Sequence, residues 1–132
     1  MIAVRAMVIV SALACSSCNS DANIVSAEVA AIPFDASTAV RQTDESAKKW
    51  PKFTDLTDSQ IDALQQALNY SCAPADHKPE ELDLRFSASV RTGESAFVWK
   101  ASWFAFYDTR SKRMCKMSAD LRDVLSTAFP YK

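Results

Sequence analysis

The 132-residue sequence contains one glycine and one histidine, and it lacks the motifs that usually mark a catalytic site. With Gly93 as the only glycine, there are few positions where the backbone could close around a phosphate, and no P-loop is present. With His77 as the only histidine, metal motifs that need two histidines are excluded, and the nucleophile motif GxSxG is also missing. We therefore predict that the protein is not an enzyme and has no catalytic residues, no metal ligands and no cofactor.

A strong charge of either sign is absent as well. The chain has 15 Lys and Arg residues against 16 Asp and Glu residues, a net charge of −1. Such a chain has no general attraction to nucleic acid, and we predict no nucleic-acid partner. His77 lies in a polar stretch and is interpreted as a solvated loop residue. An enzyme with a cleft beside His77 remains an alternative.

The N-terminus has a hydrophobic run that is too short to cross a membrane. Residues 6–14 form an apolar run of nine residues after Arg5, whereas a bilayer takes about 20. This length is typical of the core of a signal peptide, and small residues follow it before Cys15 and Cys18. The segment resembles a bacterial lipoprotein signal, in which a cysteine becomes the acylated first residue of the mature chain.

This resemblance implies export to the periplasm, with a lipid on Cys18 or Cys15 anchoring the protein to the outer membrane. Residues 12–14 favour Cys15, because an alanine stands directly before it and another two places earlier. Attachment at Cys18 instead leaves Cys72 and Cys115 as an even pair in an oxidising compartment. Ordinary cleavage before Cys15, without any lipid, stays open.

The composition divides the chain into three parts. Residues 1–17 are predicted to be the signal peptide, residues 18–45 a polar tether and residues 46–132 a compact α+β domain. The tether is predicted because residues 19–45 are rich in small polar residues and carry five acidic side chains against one arginine. Whether residues 24–34 dock on the domain stays open.

Two helices are predicted from capping residues and apolar spacing. Thr57 and Gln60 have the spacing of a capping box, and apolar residues at helical intervals follow, so a helix is expected over residues 58–70. Ser118 can cap a second helix, which Pro130 ends.

Between these helices, alternating apolar residues predict a β-hairpin. The apolar positions of the first strand are Leu82, Leu84, Phe86, Ala88 and Val90, and the second strand is expected over residues 96–107. A two-residue loop of type II′ needs a positive φ at its first residue, which favours Gly93 followed by Glu94. This loop predicts the pairs Val90–Phe97, Ala88–Trp99, Phe86–Ala101, Leu84–Trp103 and Leu82–Ala105.

A third strand is expected over residues 113–117, which completes an α+β fold in the order α-β-β-β-α. It is a three-stranded antiparallel sheet with two helices on one face. Cys72 ends the first helix and Cys115 faces that helix from the sheet, so a Cys72–Cys115 disulfide is predicted. It would close a loop of about 44 residues and stabilise the domain by roughly 4 kcal/mol.

The uncovered face of this sheet and the turn after it form the predicted partner-binding surface. Exposed aromatic residues bordered by basic ones are typical of protein contacts. The predicted contact residues are Arg85, Lys100, Phe104, Phe106, Arg110, Lys112 and Arg113. The alternative is that residues 24–34 cover Phe104 and Phe106.

These features favour a small exported binding protein. The leading hypothesis is an inhibitor or immunity protein that occludes a cell-wall-acting enzyme or effector, so that the expected partner is an envelope protein such as a secreted hydrolase. The alternative is a non-catalytic lipoprotein subunit of an envelope or secretion assembly.

Overall fold

The computed structural model describes residues 23–131. The predicted signal peptide, the lipid attachment at Cys18 or Cys15 and the first residues of the predicted tether lie outside the described residues. Within the described part the protein is a mixed α+β fold built on an antiparallel sheet, as predicted.

The sheet of the described residues has six strands rather than the predicted three. In chain order the strands are β1 (Ile24–Ala31), β2 (Lys52–Phe53), β3 (Phe86–Thr92), β4 (Ala96–Ala101), β5 (Ala105–Asp108) and β6 (Arg113–Lys116). Their order across the sheet is β2-β1-β3-β4-β5-β6, and every neighbouring pair is antiparallel. The helices are α1 (Asp44–Ala47), α2 (Asp58–Leu68) and α3 (Ala119–Ala128), and a 3₁₀ turn covers Pro79–Glu81.

Part of the predicted tether is a strand of the sheet, because residues 24–31 form β1. It lies between β2 and β3 and pairs with β3 along most of its length. Val29 is fully buried, and Phe34 just after the strand packs against Phe86. The polar residues on either side of it concealed this strand, and only its last three residues are buried, while the first five are exposed or partly exposed. The compact domain therefore includes residues 24–31, which the predicted bounds of 46–132 leave out.

The two longer helices are capped as the sequence predicts. The hydroxyl of Thr57 accepts from the Gln60 N–H, and the Gln60 side-chain oxygen accepts from the Thr57 N–H. Ser118 caps α3 by accepting from the Leu121 N–H. The Gln60 amide also donates to the carbonyl of Ala128, which joins the start of α2 to the end of α3.

Both helices pack on one face of the sheet and bury the main core. The largest fully buried side chains of this face are Trp99, Phe86, Leu64, Leu121, Leu125 and Val29. The Phe86 ring meets Trp99 and Phe129 edge-on at centroid distances of 5.8 and 5.5 Å. This aromatic contact joins the middle of the sheet to the end of α3, so the two predicted helices share one hydrophobic core.

The β3–β4 hairpin has the predicted register but not the predicted turn. Phe86–Ala101, Ala88–Trp99 and Val90–Phe97 are paired as expected. Among the described residues no glycine has a positive φ, so the type II′ assignment is wrong. The Thr92 hydroxyl closes the loop instead, because it accepts from the Ser95 N–H while the Thr92 N–H donates to the Ser95 carbonyl.

The predicted long strand over residues 96–107 is broken into β4 and β5 by a tight turn. The Ser102 N–H donates to the carbonyl of Ala105, which leaves Trp103 and Phe104 as a two-residue loop. The pairs Leu84–Trp103 and Leu82–Ala105 therefore do not form, because β3 begins only at Phe86 and β4 ends at Ala101.

This turn also reverses which side of the sheet the following side chains face. Phe106 pairs with Ala101, so it points into the main core with 3% of its surface exposed. Its prediction as an exposed contact residue is wrong for that reason. Ala105 lies on the opposite face, where it joins a smaller core that α1 and the following segment cover. The buried residues of that core are Ala30, Ala47, Trp50, Leu82, Leu84 and Ala105.

The predicted disulfide between Cys72 and Cys115 is present, with Cα atoms 5.0 Å apart. It holds the segment after α2 against the outer edge of β6. There the Lys116 N–H donates to the carbonyl of Ala73, and the Ala75 N–H donates to the carbonyl of Met114. The bridge therefore joins the segment after α2 to β6, and this segment covers the outer edge of β6, which limits edge-to-edge pairing there.

Candidate protein-binding site

The turn between β4 and β5 carries two aromatic residues on a rigid backbone. The buried Ser102 hydroxyl accepts from the N–H groups of Phe104 and Ala105, at 3.2 and 3.1 Å. The carbonyl of Phe104 accepts from the Met117 N–H at 2.9 Å. The loop is thus tied both to itself and to the segment before α3, and we call Trp103 and Phe104 the hairpin tip.

The side chains of the hairpin tip are exposed. Phe104 has 72% of its surface in solvent and Trp103 has 39%. The guanidinium of Arg122 lies 3.9 Å from the centroid of the Trp103 ring and also donates to the Trp103 carbonyl at 2.8 Å. An exposed phenylalanine on a fixed loop is a surface that a protein partner can bury at little cost in conformational entropy.

A cavity of about 400 Å³ opens beside the hairpin tip. Its inner wall includes the buried residues Phe34, Leu82 and Ser102. Exposed polar residues, among them Asp35, His77 and Glu81, stand at its rim with the two aromatic residues of the tip. His77 is therefore a surface residue, and it contributes to the rim of this cavity.

Arg85 lines the same cavity, but it is buried and is not the exposed contact residue that the sequence predicts. Only 7% of its surface is exposed, because its guanidinium turns towards the carboxylate of Asp83 and the carbonyls of Leu84 and Ala36. Its Nε has no hydrogen-bond partner among residues 23–131. Arg85 thus holds the floor of the cavity together rather than presenting charge to a partner.

Asp83 is the partner of this arginine, and the pairing changes its acidity. Partial burial raises the pKa of the Asp83 carboxyl, but hydrogen bonds from Arg85 and from the Gln42 N–H, with the charges of Arg85 and Arg41, outweigh it. The net result is a pKa below the ordinary value of an aspartate. Asp83 therefore stays ionised and neutralises the buried guanidinium.

Lys100 lies away from the hairpin tip, on the face of the sheet opposite α2 and α3. Its ammonium contacts both carboxylate oxygens of Asp44, at 3.2 and 3.0 Å, and only 12% of its side chain is exposed. The prediction of Lys100 as a partner contact is therefore not supported by its position, because the lysine is occupied by the start of α1.

The predicted basic turn is exposed, but it lies at the other end of β5. Arg110 stacks over the Phe97 ring at 4.2 Å, and Asp108 accepts from the Arg110 N–H. Lys112 has a φ of 58°, and it and Arg113 are exposed. The predicted contact residues thus separate into two surfaces, with Phe104 at the start of β5 and the arginines beyond its end.

Trp103 is an exposed aromatic residue that the sequence pattern did not predict at the surface, because the predicted register placed it inside the core opposite Leu84. A signal for the turn was present in Ser102, because a serine hydroxyl can accept from backbone N–H groups two and three residues later. The turn has no glycine, proline, asparagine or aspartate, so the alternating aromatic pattern concealed it.

No protein-family model, curated protein or solved structure matches the chain. Within residues 23–131 no helix is both long and apolar enough to cross a membrane. In the same range, no three His, Cys, Asp or Glu side chains are gathered where they could hold a metal ion.

Proposed function

We propose that the protein is a small exported protein-binding protein that inhibits a cell-wall-acting enzyme or effector by inserting its hairpin tip into the cleft of that partner. The observation that carries the proposal is the exposure of Phe104 on a loop whose backbone is held by Ser102 and Met117. Large aromatic side chains contribute much of the binding energy of protein interfaces when a partner buries them.

The rest of the fold suits this role. The disulfide and the capped helices hold the tip on a small, rigid support, so that binding orders few additional groups. The basic turn with Arg110, Lys112 and Arg113 lies beyond the other end of β5, where it would contact a second region of the partner. Its positive charge would speed the encounter with an acidic surface. A lipid on Cys18 or Cys15 would hold the inhibitor at the outer membrane.

The experiment is affinity capture from envelope and secreted fractions. The bait is the full chain, expressed with its own N-terminal segment, oxidised and tagged at the C-terminus. Capture of one hydrolase in near-equimolar amount, whose activity the bait blocks, is the expected result. A bait that begins at residue 46 would be unsuitable, because it would lack β1 from the interior of the sheet.

Two variants and one control locate the surface on the bait. Phe104→Ala is expected to weaken the complex by at least about tenfold, as for a central aromatic contact. Arg113→Glu is expected to slow association. Val25→Ala removes a similarly exposed apolar side chain at the opposite ends of the strands and should bind normally. Normal binding by both Phe104→Ala and Arg113→Glu would show that the proposed surface is wrong.

The second candidate is a non-catalytic lipoprotein subunit of an envelope or secretion assembly. It is favoured by the outer edge of β1, where β2 pairs only with Val29 and Ala30. Residues 24–28 have no strand on that side within the described residues, and an open edge is a common place for another chain to add a strand. Recovery of several membrane-assembly proteins, with no dependence on Phe104, would favour this function over inhibition.

A further inference from the structure

The cavity beside the hairpin tip has an uneven distribution of charge. The one buried cation in its wall, Arg85, is already neutralised by Asp83. Two further carboxylates at the rim, Asp35 and Glu81, are exposed and form no ion pair with any residue in the range 23–131, although one oxygen of Glu81 accepts from the Lys78 N–H at 2.9 Å. The space that a ligand would enter is therefore negatively charged at its opening.

The remaining walls are mainly apolar and partly aromatic. Phe34 and Leu82 lie on the inner side, and Trp103 and Phe104 stand at the outer side. Aromatic walls combined with carboxylates favour an organic cation, because the ring faces attract positive charge and the carboxylates accept its hydrogen bonds.

The protein itself shows that the Trp103 ring accepts a guanidinium. Arg122 lies over this ring and lines the neighbouring groove, while Trp103 lines both that groove and the cavity. The indole thus stands between an internal arginine on one side and an acidic cavity on the other.

We propose that this cavity receives an arginine side chain of the protein partner, next to the place where Phe104 inserts. This inference rests on the proposed function and specifies the chemistry of the partner. A planar guanidinium stacks on aromatic rings and binds carboxylates through two N–H groups, which a lysine ammonium does less well. The volume of about 400 Å³ is within the range of small-ligand sites and leaves room for one such side chain.

An anionic group fits the cavity poorly. The terminal nitrogens of Arg85 face Asp83, Leu84 and Ala36, and its Nε is covered. Arg41 is close enough to act on Asp83, but it donates to the carbonyl of Glu80 and does not line the cavity. An incoming anion would therefore meet the carboxylates of Asp35 and Glu81 first.

The first experiment measures binding of an arginine side chain alone. The full, oxidised protein is labelled with ¹⁵N, and the indole N–H signal of Trp103, assigned with Trp103→Phe, is followed during titration. The probe is N-acetyl-arginine methylamide, and its neutral counterpart is N-acetyl-citrulline methylamide at the same ionic strength. We expect a saturable shift with a Kd of about 1 mM for the arginine probe and binding at least about fivefold weaker for the citrulline probe. No saturable shift, or equal binding of the two probes, would overturn the inference.

The carboxylates are tested with a double variant and a matched control. Asp35→Asn with Glu81→Gln should weaken probe binding by at least about fivefold. Asp62→Asn with Glu94→Gln removes the same charge from exposed positions elsewhere and should leave binding unchanged. Equal loss in both double variants would indicate general charge attraction and contradict the assigned site.

Partner capture with variant baits tests this inference separately from the proposed function on which it rests. In one outcome, the Phe104→Ala bait loses the partner while the Asp35→Asn, Glu81→Gln bait retains it fully. The proposed inhibitor function is then supported, and the proposal of an arginine-binding cavity is wrong. If both baits release the partner, both are supported. A cavity that binds the probe while neither bait changes partner capture would be a site for free small cations, which would overturn the assignment to a partner's arginine.

Discussion

The carboxylate of Asp83 and the guanidinium of Arg85 form two contacts, at 2.8 and 3.2 Å, beneath the aromatic hairpin tip. The arginine is buried, while 45% of the aspartate side chain is exposed. Asp83 also accepts from the Gln42 N–H at 2.7 Å, and Arg85 donates to the carbonyl of Ala36. This pair therefore fastens the segment before α1 to the start of β3, and the cavity wall depends on it.

Stability should depend on the ionisation of Asp83. Its pKa is lower in the folded protein than in the unfolded chain, so its contribution is present above the unfolded value and is lost as pH falls through the folded value. We expect Asp83→Asn to lower the free energy of unfolding by about 1–2 kcal/mol at pH 7, allowing for solvent screening of the half-exposed carboxylate. The difference should shrink below about pH 4, where protonation removes the same charge from the unmodified protein.

Urea unfolding followed by circular dichroism at pH 7 and at pH 3 measures this difference. Asp62→Asn is the control, since it removes an exposed carboxylate that forms no ion pair within residues 23–131. A destabilisation by Asp83→Asn that is equally large at both pH values would show that the effect is not electrostatic.

Local signals in the sequence predicted the parts of the fold that depend on nearby residues. The Thr57 capping box, the Ser118 cap and the pairing of Ala88 with Trp99 all involve short-range chemistry or a clear alternation, and all are confirmed. The Cys72–Cys115 disulfide was also predicted, because the sequence pattern places Cys72 at the end of a helix and Cys115 on the sheet face that this helix covers.

Long-range features of the fold were missed. Docking of residues 24–34 was left open, because β1 is a short segment within a polar stretch and its partner, β3, lies more than fifty residues later. The turn at Ser102 breaks an alternation that would also suit a continuous strand, and it moves Phe106 into the core. Of the candidate site, Phe104 was predicted as exposed. Trp103 and the cavity depend on that turn and could not be predicted without it.

The position of β1 predicts where the chain can be shortened. Removal of residues 1–22 should leave the fold intact, whereas removal of residues 1–31 should abolish cooperative unfolding. The second deletion takes away a strand that lies between β2 and β3 and contributes the fully buried Val29. Thermal unfolding and the dispersion of amide NMR signals distinguish the two products. A chain lacking residues 1–31 that still unfolds cooperatively would contradict the placement of β1.

The Cys72–Cys115 bridge should contribute a large part of the stability. The double variant Cys72→Ser, Cys115→Ser is expected to lower the free energy of unfolding by roughly 4 kcal/mol, mainly because the unfolded chain regains freedom. Hydrogen exchange should also become faster at the N–H groups of Ala75 and Lys116, which bond across the bridged edge.

Urea unfolding gives the free energy, and mass-resolved hydrogen exchange gives the local effect. The amides of β3 serve as an internal reference because they lie in the middle of the sheet. Equal acceleration in β3 and at the edge would show that the bridge stabilises only the whole domain and does not hold the edge specifically.

The Ser102 hydroxyl should fix the shape of the hairpin tip. Ser102→Ala removes the acceptor for the N–H groups of Phe104 and Ala105, so we expect a loss of about 1–2 kcal/mol in unfolding free energy. Ser111→Ala, in the exposed turn after β5, is the matched control and should change stability by less than about 0.5 kcal/mol. Urea unfolding measures both, and ¹⁵N relaxation of the Phe104 amide shows whether the loop moves more on the nanosecond timescale.

If the hairpin tip binds its partner in the conformation that the Ser102 hydroxyl fixes, Ser102→Ala should weaken partner capture although every aromatic side chain remains. If Ser102→Ala changes neither the relaxation of the Phe104 amide nor the capture of the partner, the hairpin tip does not depend on this hydroxyl for its rigidity.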